Sequence, residues 1–236
     1  MRLSERKLGR AWRRVIDAVL PRVCLLCVAP VGDASVCAAC VAELPRLPTE
    51  ICPVCALPAP GGQVCGACLR RPPHFDATRA LWRYGFPLDR LIQALKYSRR
   101  LASADFFGQA LLAATTQDAP PDLILPVPLS PRRLAERGFN QSVEIARPLA
   151  RRWRVPLSLR DIDRRETLPQ ASLPWKERAK NIRHAFACTL ALDGRRVLVI
   201  DDVMTTGATL DELARTLKMH GAARVENLVL ARALRD

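Results

Sequence analysis

The stretch VLVIDDVMTTGAT at residues 197–209 decides the fold of this chain. Its first four residues, Val197 to Ile200, are all apolar and predict a buried strand, which the acids Asp201 and Asp202 end. A turn of small hydroxyl residues follows, and the helical pattern from Gly207 to His220 starts directly after it. In α/β folds ligands bind where parallel strands end, so these residues are the first candidates for a binding site.

The turn has the composition of a phosphate-binding loop. Backbone N–H groups are free at the start of a helix, and the hydroxyls of Thr205, Thr206 and Thr209 add further donors. Asp201 and Asp202 would repel a phosphate, so they should bind the neighbouring hydroxyls of a sugar, directly or through Mg²⁺. The alternative is that these residues only cap a helix. No lysine follows the turn, which excludes a nucleoside-triphosphate P-loop.

Predicted strands and helices alternate around this stretch. Further strands are expected at residues 78–84, 122–127 and 225–230, and helices at 88–97, 102–116 and 141–152. This alternation predicts an α/β domain over residues 73–236, built on a parallel sheet with helices on both faces. Residues 164–183 lack an apolar period and are interpreted as a mobile cover or as a plain surface loop.

The cysteines form a repeat ahead of this domain. Eight of the nine lie in four Cys-x2-Cys pairs, and the second two pairs repeat the first two 28 residues later. Two pairs supply the four thiolates of a structural zinc site, and metal binding would fold a segment this small. Disulfides are disfavoured because no export signal is visible, and the Cys-x2-Cys-x2-Cys run of many iron–sulfur proteins is missing. We predict a double zinc ribbon over residues 21–72 whose two zinc ions are bound by Cys24, Cys27, Cys37 and Cys40, and by Cys52, Cys55, Cys65 and Cys68.

The charge of the chain limits its partners. There are 37 Lys and Arg against 23 Asp and Glu, a net charge of +14. This charge suits the binding of nucleic acid or phosphorylated metabolites. The alternative is that the charged residues only solvate the surface. Residues 1–20 have the pattern of a basic amphipathic helix that packs on its own domain or on a partner subunit; a membrane-surface or nucleic-acid role is the alternative. No apolar stretch reaches the ~20 residues of a transmembrane helix, and we predict a cytoplasmic protein.

Residues 197–209 resemble the 5-phosphoribosyl-1-pyrophosphate (PRPP) motif of type I phosphoribosyltransferases. About residues 20 to 232 resemble the ComF family, also seen under the name GntX, whose members join a double zinc ribbon to a phosphoribosyltransferase-like domain. Besides the cysteine pairs and the PRPP motif, the matching pieces are ALKY at 94–97, PVPL at 126–129, RGFNQ at 137–141, and Arg132, Arg133, Gln170, Arg178, Asn181, Arg183 and Phe186.

The resemblance implies roles for individual residues. It places Asp201 and Asp202 at the ribose. It gives PRPP binding to these two acids and to Met204, Thr205, Thr206, Gly207, Ala208 and Thr209. It also implies that Arg132, Arg133 and Arg137 face the pyrophosphate, whose charge guanidinium groups can stabilise as it leaves. The candidate catalytic residues are therefore Asp201, Asp202 and Arg137, and a merely solvated cluster is the alternative for the arginines.

The function implied by the resemblance is a PRPP-binding phosphoribosyltransferase that uses Mg²⁺ and acts in DNA uptake, as in competence, or in nucleotide metabolism. Its acceptor is unknown, and an oligomer stays open. Catalysis would rest on positioning and on charge stabilisation. The alternative is a non-catalytic protein that handles single-stranded DNA with PRPP or a nucleotide as effector, although only 5% of the residues are aromatic and could stack on bases.

Overall fold

The computed structural model describes residues 22–97, 101–115, 119–166 and 183–234. The predicted helix at residues 1–20 lies outside these ranges, as do Gln170, Arg178 and Asn181 of the predicted cover. The chain divides into two compact units, Met1–Leu44 and Pro45–Asp236, so the two cysteine repeats fall in different units.

The first unit contains the first cysteine repeat. An isolated β-bridge joins Val23 to Pro30, and helix α1 (Ala38–Ala42) begins directly after Cys37. The sulfur of Cys37 caps this short helix by accepting a hydrogen bond from the backbone N–H of Cys40.

The second unit begins with the second cysteine repeat, which packs into the α/β domain. A β-bridge joins Ile51 to Pro58, and helix α2 (Gly66–Arg70) follows Cys65. The N–H of Thr78 donates to the carbonyl of Pro53 at 3.0 Å, which connects the repeat to the first strand of the sheet. The cysteines of this repeat belong to the same buried cluster as the core of the domain.

The domain is a four-stranded parallel sheet with helices between its strands, as predicted. The helices are α3 (Leu88–Tyr97), α4 (Leu101–Ala114), α5 (Pro131–Arg137), α6 (Gln141–Trp153) and α7 (Ala208–Met219). The strands are β1 (Ala77–Arg83), β2 (Leu123–Pro126), β3 (Ile162–Arg164), β4 (Phe186–Cys188), β5 (Arg196–Met204) and β6 (Arg224–Arg232). The main sheet has the order β1-β6-β5-β2, and β3 and β4 form a separate antiparallel pair.

Strand β5 is buried on both faces of the sheet. Val197 and Val199 belong to one cluster with Leu213 and Leu217 of α7, and Ile200, which is fully buried, points to the opposite face because side chains alternate along a strand. Helices α4 and α6 lie against this sheet, since α4 contacts β6 and α6 contacts β2 and β5. This double burial explains the continuous apolar run that predicted the strand.

The end of β5 differs from the prediction. The strand does not stop before the acids but continues through Asp201 and Asp202 to Met204, because β6 offers pairing partners as far as Arg232. The carboxylates are therefore held on a paired strand, and the loop starts only at residue 205. In the described ranges, no helix is both long and apolar enough to cross a membrane.

Candidate functional site

A cavity of about 380 Å³ lies where β5 ends and α7 begins. It is lined by Tyr84, Lys96, Val127, Leu129, Arg133, Arg137, Gln141, Arg164 and the continuous stretch from Asp201 to Leu210. Every predicted PRPP-binding residue is among them. A larger cavity, of about 650 Å³, opens where the strands begin, but the acids and the hydroxyl loop line the smaller one, at the edge where parallel sheets bind ligands.

The hydroxyl loop turns into α7 through a glycine in a left-handed conformation. Gly207 has φ +84°, and a Cβ at this position would lie 2.6 Å from the Cε of Met204. The hydroxyl of Thr206 accepts a hydrogen bond from the N–H of Ala208, the first residue of the helix, at 3.1 Å, and Gly207 is the N-cap. This local geometry requires glycine and places the start of a twelve-residue helix, where anions bind, at the cavity.

The two acids are held by different partners. Asp202 is buried, and its Oδ2 accepts from the Nζ of Lys96 at 2.8 Å and from the Nε2 of Gln141 at 3.2 Å. The Oδ1 of Asp201 accepts from the hydroxyl of Ser142 at 3.2 Å and from the N–H of Asp202 at 2.9 Å. Three of these donors are side chains on helices α3 and α6, so the helices aim the carboxylates that β5 carries.

Asp201 is electrostatically disfavoured as a carboxylate. Burial raises its pKa from 3.8 to about 7, and repulsion by the neighbouring Asp202 adds to the rise, while Lys96 and Arg164 oppose it. A nearby cation or sugar hydroxyl would stabilise the ionised form of such a carboxyl group. This site is therefore prepared for a polar ligand.

The three predicted pyrophosphate arginines occupy different positions. Arg133 and Arg137 line the cavity, and the Nη1 of Arg137 donates to the Oε1 of Gln141 at 2.9 Å. Gln141 in turn donates to Asp202, so Arg137 is connected to the acid pair through one amide. Arg132 is exposed, is not among the lining residues, and its Nε donates to Glu136 at 2.8 Å.

Two further cations belong to the cavity although no role was predicted for them. Lys96 was noted only within the ALKY match, and its position after the apolar stripe of α3 was the available signal. No sequence signal indicated Arg164. Only the tertiary structure fixes its position, with its guanidinium 5.5 Å from the centre of the Phe186 ring. Burial, followed by repulsion from Arg133, lowers the pKa of Arg164. Four cations thus face two carboxylates around the cavity, an excess of positive charge that suits an anion.

Both cysteine groups have the geometry of a four-thiolate metal site. In each group, the predicted four sulfurs all lie within 4.8 Å of one another. Cys27 and Cys37, and likewise Cys55 and Cys65, have their Sγ atoms 3.7 Å apart. Zinc–sulfur bonds of about 2.3 Å in a tetrahedron give sulfur–sulfur distances of about 3.8 Å, whereas a disulfide bond is about 2.05 Å long. The predicted pairing is confirmed, and the residues fit structural zinc.

Backbone hydrogen bonds favour the thiolate at one cysteine of the second site, Cys52. Burial alone would raise the pKa of Cys52, but hydrogen bonds from the N–H groups of Cys65, Cys55 and Val54 outweigh it and lower the pKa from 9.0 to about 7. A thiolate is the form that binds zinc, so these bonds favour the metal-bound state.

Comparison with known proteins matches both parts of the chain. Residues 15–69 match the family model of the double zinc ribbon domain, and residues 140–236 match that of the phosphoribosyl transferase domain. The chain is 37% identical over 227 residues to DNA utilization protein YhgH of Escherichia coli (strain CFT073), covering 91% of this chain and 99% of that protein. It is 33% identical over 175 residues to competence protein F of Haemophilus influenzae, covering 70% of this chain and 76% of the relative. Among solved structures, adenine phosphoribosyltransferase from Thermoanaerobacter pseudethanolicus is similar at 16% identity with a TM-score of 0.38, over 58% of this chain and 83% of that one.

Fold, cysteine sites and family models together define a phosphoribosyltransferase-type domain that follows a double zinc ribbon. The two relatives align with most of the chain, over 91% and 70% of its length. The chain belongs to the ComF family, together with DNA utilization protein YhgH and competence protein F.

Proposed function

We propose that the cavity binds PRPP with Mg²⁺ and that the domain transfers the ribose phosphate to an acceptor nitrogen. In this reaction the bond between ribose C1 and pyrophosphate breaks, a bond from C1 to the acceptor forms, and pyrophosphate leaves. One observation carries the proposal: a single cavity of about 380 Å³ brings together residues 205–209 (the phosphate loop), the acid pair and four cations from other elements of the fold.

Each part of the cavity suits one part of PRPP. The hydroxyls of residues 205–209 and their N–H groups, other than that of Ala208, which donates to Thr206, can donate to the 5′-phosphate. Asp201 and Asp202 can accept from the two ribose hydroxyls. Arg133 and Arg137 are the guanidinium groups that could stabilise the departing pyrophosphate.

Mg²⁺ would neutralise pyrophosphate oxygens and organise them for departure. Among the described residues, Asp201 and Asp202 are the carboxylates that line the cavity, and they would hold the ion directly or through water. The Nζ of Lys96 forms an ion pair with the Oδ2 of Asp202 at 2.8 Å, so this acid has a neutralising partner before Mg²⁺ binds. Catalysis by this chain then consists of positioning the ribose and stabilising charge, with no side-chain nucleophile.

Isothermal titration calorimetry with PRPP and Mg²⁺ tests the binding site. We expect wild-type protein to bind and the double variant Asp201→Asn with Asp202→Asn to lose at least about tenfold in affinity, because two acceptors for the ribose hydroxyls or the cation weaken at once. Asp105→Asn, an exposed acid on α4, is the matched control and should bind as wild type does. Equal binding by the double variant and the wild type would remove the assigned site.

The second candidate function is a non-catalytic protein that handles single-stranded DNA with PRPP or a nucleotide as effector. It is favoured by the names of the relatives, DNA utilization protein and competence protein F, and by the net charge of +14. Pyrophosphate release after addition of candidate bases separates the two: release that depends on base supports the enzyme, and PRPP binding without any release supports the effector role.

Single-strand binding itself has a separate test. Contacts to phosphates release counterions, so affinity for an oligonucleotide should fall steeply as salt rises. Fluorescence anisotropy from 50 to about 200 mM salt measures the slope, and a flat response would count against DNA handling. We include a cytoplasmic location in the proposal, because thiols there stay reduced and able to bind zinc.

A further inference from the structure

Arg232, at the end of β6, is a buried guanidinium that no predicted role includes. Its exposed fraction is 2%, and it lies opposite Met204 in the register of β5 and β6. A charged side chain is costly to bury unless its donors are satisfied. The hydrogen-bond partners of Arg232 therefore indicate which parts of the structure it connects.

Those partners belong to two different parts of the second unit. The Nε of Arg232 donates to the carbonyl of Cys55 at 2.7 Å, and its Nη1 donates to the carbonyl of Met204 at 2.9 Å. The same Nη1 also contacts the carbonyl of Thr205 and, at 3.0 Å, that of Ala233. One planar group thus connects a metal-binding cysteine to the start of the phosphate loop.

The hydrogen bonds to the loop have a consequence for its donors. In a trans peptide, the carbonyl of one residue and the N–H of the next point in opposite directions. With the carbonyls of Met204 and Thr205 directed at Arg232, the N–H groups of Thr205 and Thr206 point away from it. Both threonines line the candidate cavity. The N–H of Ala233 also donates to the Met204 carbonyl, at 3.0 Å, so Arg232 adds to the pairing of β5 with β6 in orienting the first of these backbone donors, and it contacts the carbonyl that orients the second.

A second contact supports the same connection. Phe75, which is 4% exposed, shares one buried cluster with Cys52, Cys55, Cys68 and Met204. Its ring lies 3.9 Å from the position that a Cβ on Gly207 would take. The second cysteine site and the turn of the loop thus pack into one core, and displacement of either would disturb the other.

We propose that zinc in the second cysteine site positions the phosphate loop through Arg232, so that this metal and the anion bind cooperatively. Arg232 is a positioning residue, since it acts through the loop and not on the ligand. The first cysteine site serves as the comparison: Cys27, the counterpart of Cys55 in the repeat, is exposed and belongs to the other unit. This inference takes PRPP as the anion, and for the identity of that ligand it rests on the proposed function.

Hydrogen–deuterium exchange tests the coupling without any ligand. We expect Cys55→Ser, which weakens the second zinc site, to raise exchange of two hydrogen-bonded amides at the loop, those of Ala208 and Asp211, at least about fivefold, the lower end of typical coupling between sites. Cys27→Ser, its matched control in the first repeat, should leave these amides unchanged. Equal exchange in both variants would overturn the proposal.

Arg232→Lys tests the connecting group in case Cys55→Ser does not fold. Lysine keeps the charge, but its single ammonium cannot hold the Cys55 and Met204 carbonyls with a rigid fork. We expect faster exchange of the Ala208 and Asp211 amides while two zinc ions remain bound. Arg224→Lys, at the exposed start of the same strand, is the control. Unchanged exchange in Arg232→Lys would refute the role of Arg232.

Affinity measurements then separate this proposal from the proposed function. Arg232→Lys should weaken PRPP binding at least about fivefold, and by reciprocity saturating PRPP should raise the affinity of the wild-type protein for one of its two zinc ions, measured by equilibrium competition with a chromogenic chelator. Should wild-type protein bind no PRPP, the proposed function fails, and the exchange experiments still decide the coupling. If PRPP binds and changes the affinity for neither zinc ion, the coupling is refuted and the proposed function stands.

Discussion

Replacing the charge of Asp201 should make the protein more stable while it weakens ligand binding. Asn has nearly the same shape, and its Oδ1 can still accept from the hydroxyl of Ser142 and the N–H of Asp202, the two bonds that the carboxylate accepts now. What the substitution removes is a carboxylate that is disfavoured in the folded chain. We therefore expect Asp201→Asn to raise the free energy of unfolding at neutral pH.

The size of the effect follows from the pKa. Burial, with the repulsion of Asp202, raises the pKa of Asp201 from 3.8 to about 7. At about 1.36 kcal/mol per pH unit, a rise of this size corresponds to about 4 kcal/mol if fully realised. The side chain lines an open cavity and is only partly shielded from water, so we expect about 1–3 kcal/mol.

The sign also predicts a pH profile. Between about pH 4 and pH 7 the folded state keeps a proton that the unfolded state has lost, so this group's contribution makes the protein less stable as pH rises through that window. The stability gap between Asp201→Asn and wild type should be small near pH 4, widen up to about pH 7, and then stay constant.

Urea denaturation at several values from pH 4.5 to 8.5 measures this gap, with Asp105→Asn as the exposed control. The two proteins keep the same cysteines, so loss of zinc at low pH affects both. A variant that is less stable than wild type at pH 8, or a gap that does not change with pH, would refute the assignment of a buried, repelled carboxylate.

The remaining predictions concern the loop, the helix packing and the metals. Gly207→Ala should cost about 1–3 kcal/mol and also weaken PRPP binding, because φ is +84° and the new methyl would lie 2.6 Å from the Cε of Met204; thermal unfolding and calorimetry measure the two effects. In Gly108→Ala, the new methyl on α4 would lie 2.6 Å from the Cγ of Pro148 on α6, so stability should fall by about 1–3 kcal/mol while PRPP affinity stays unchanged. Reduced PRPP affinity in this variant would contradict the assigned position of the site. Metal analysis should find two zinc ions per chain, and a strong chelator should remove them and unfold the cysteine repeats in circular dichroism, whereas well under two ions would refute the two-site prediction.

Local pattern was sufficient for much of the fold. The apolar run of β5 and the helical spacing after it predicted a strand and a helix that the structure places at Arg196–Met204 and Ala208–Met219. The predicted end of the strand, Ile200, was wrong by four residues, because β5 ends at Met204. Acids such as Asp201 and Asp202 usually mark a strand end, but here pairing with β6 continues past them and overrides the local preference.

The candidate site was recovered in part. The loop and the acid pair are adjacent in sequence, so a single motif predicted them together. Lys96 and Arg164 come from other elements, and only folding brings them to the same cavity. Arg132 lies outside the lining because helix α5 turns it toward Glu136, whereas Arg133, the next residue, faces the cavity.

The sequence by itself determined the α/β class, the grouping of the cysteines into two zinc sites and the hydroxyl-rich turn between β5 and α7, because each depends on spacing within a few tens of residues. Only the tertiary structure decided that one of two equivalent repeats is built into the core, and that Arg232 connects it to the loop. The physical reason is distance along the chain: the bond from Arg232 to Cys55 joins residues 177 positions apart, and that from Gln141 to Asp202 joins residues 61 apart. No local pattern encodes such contacts.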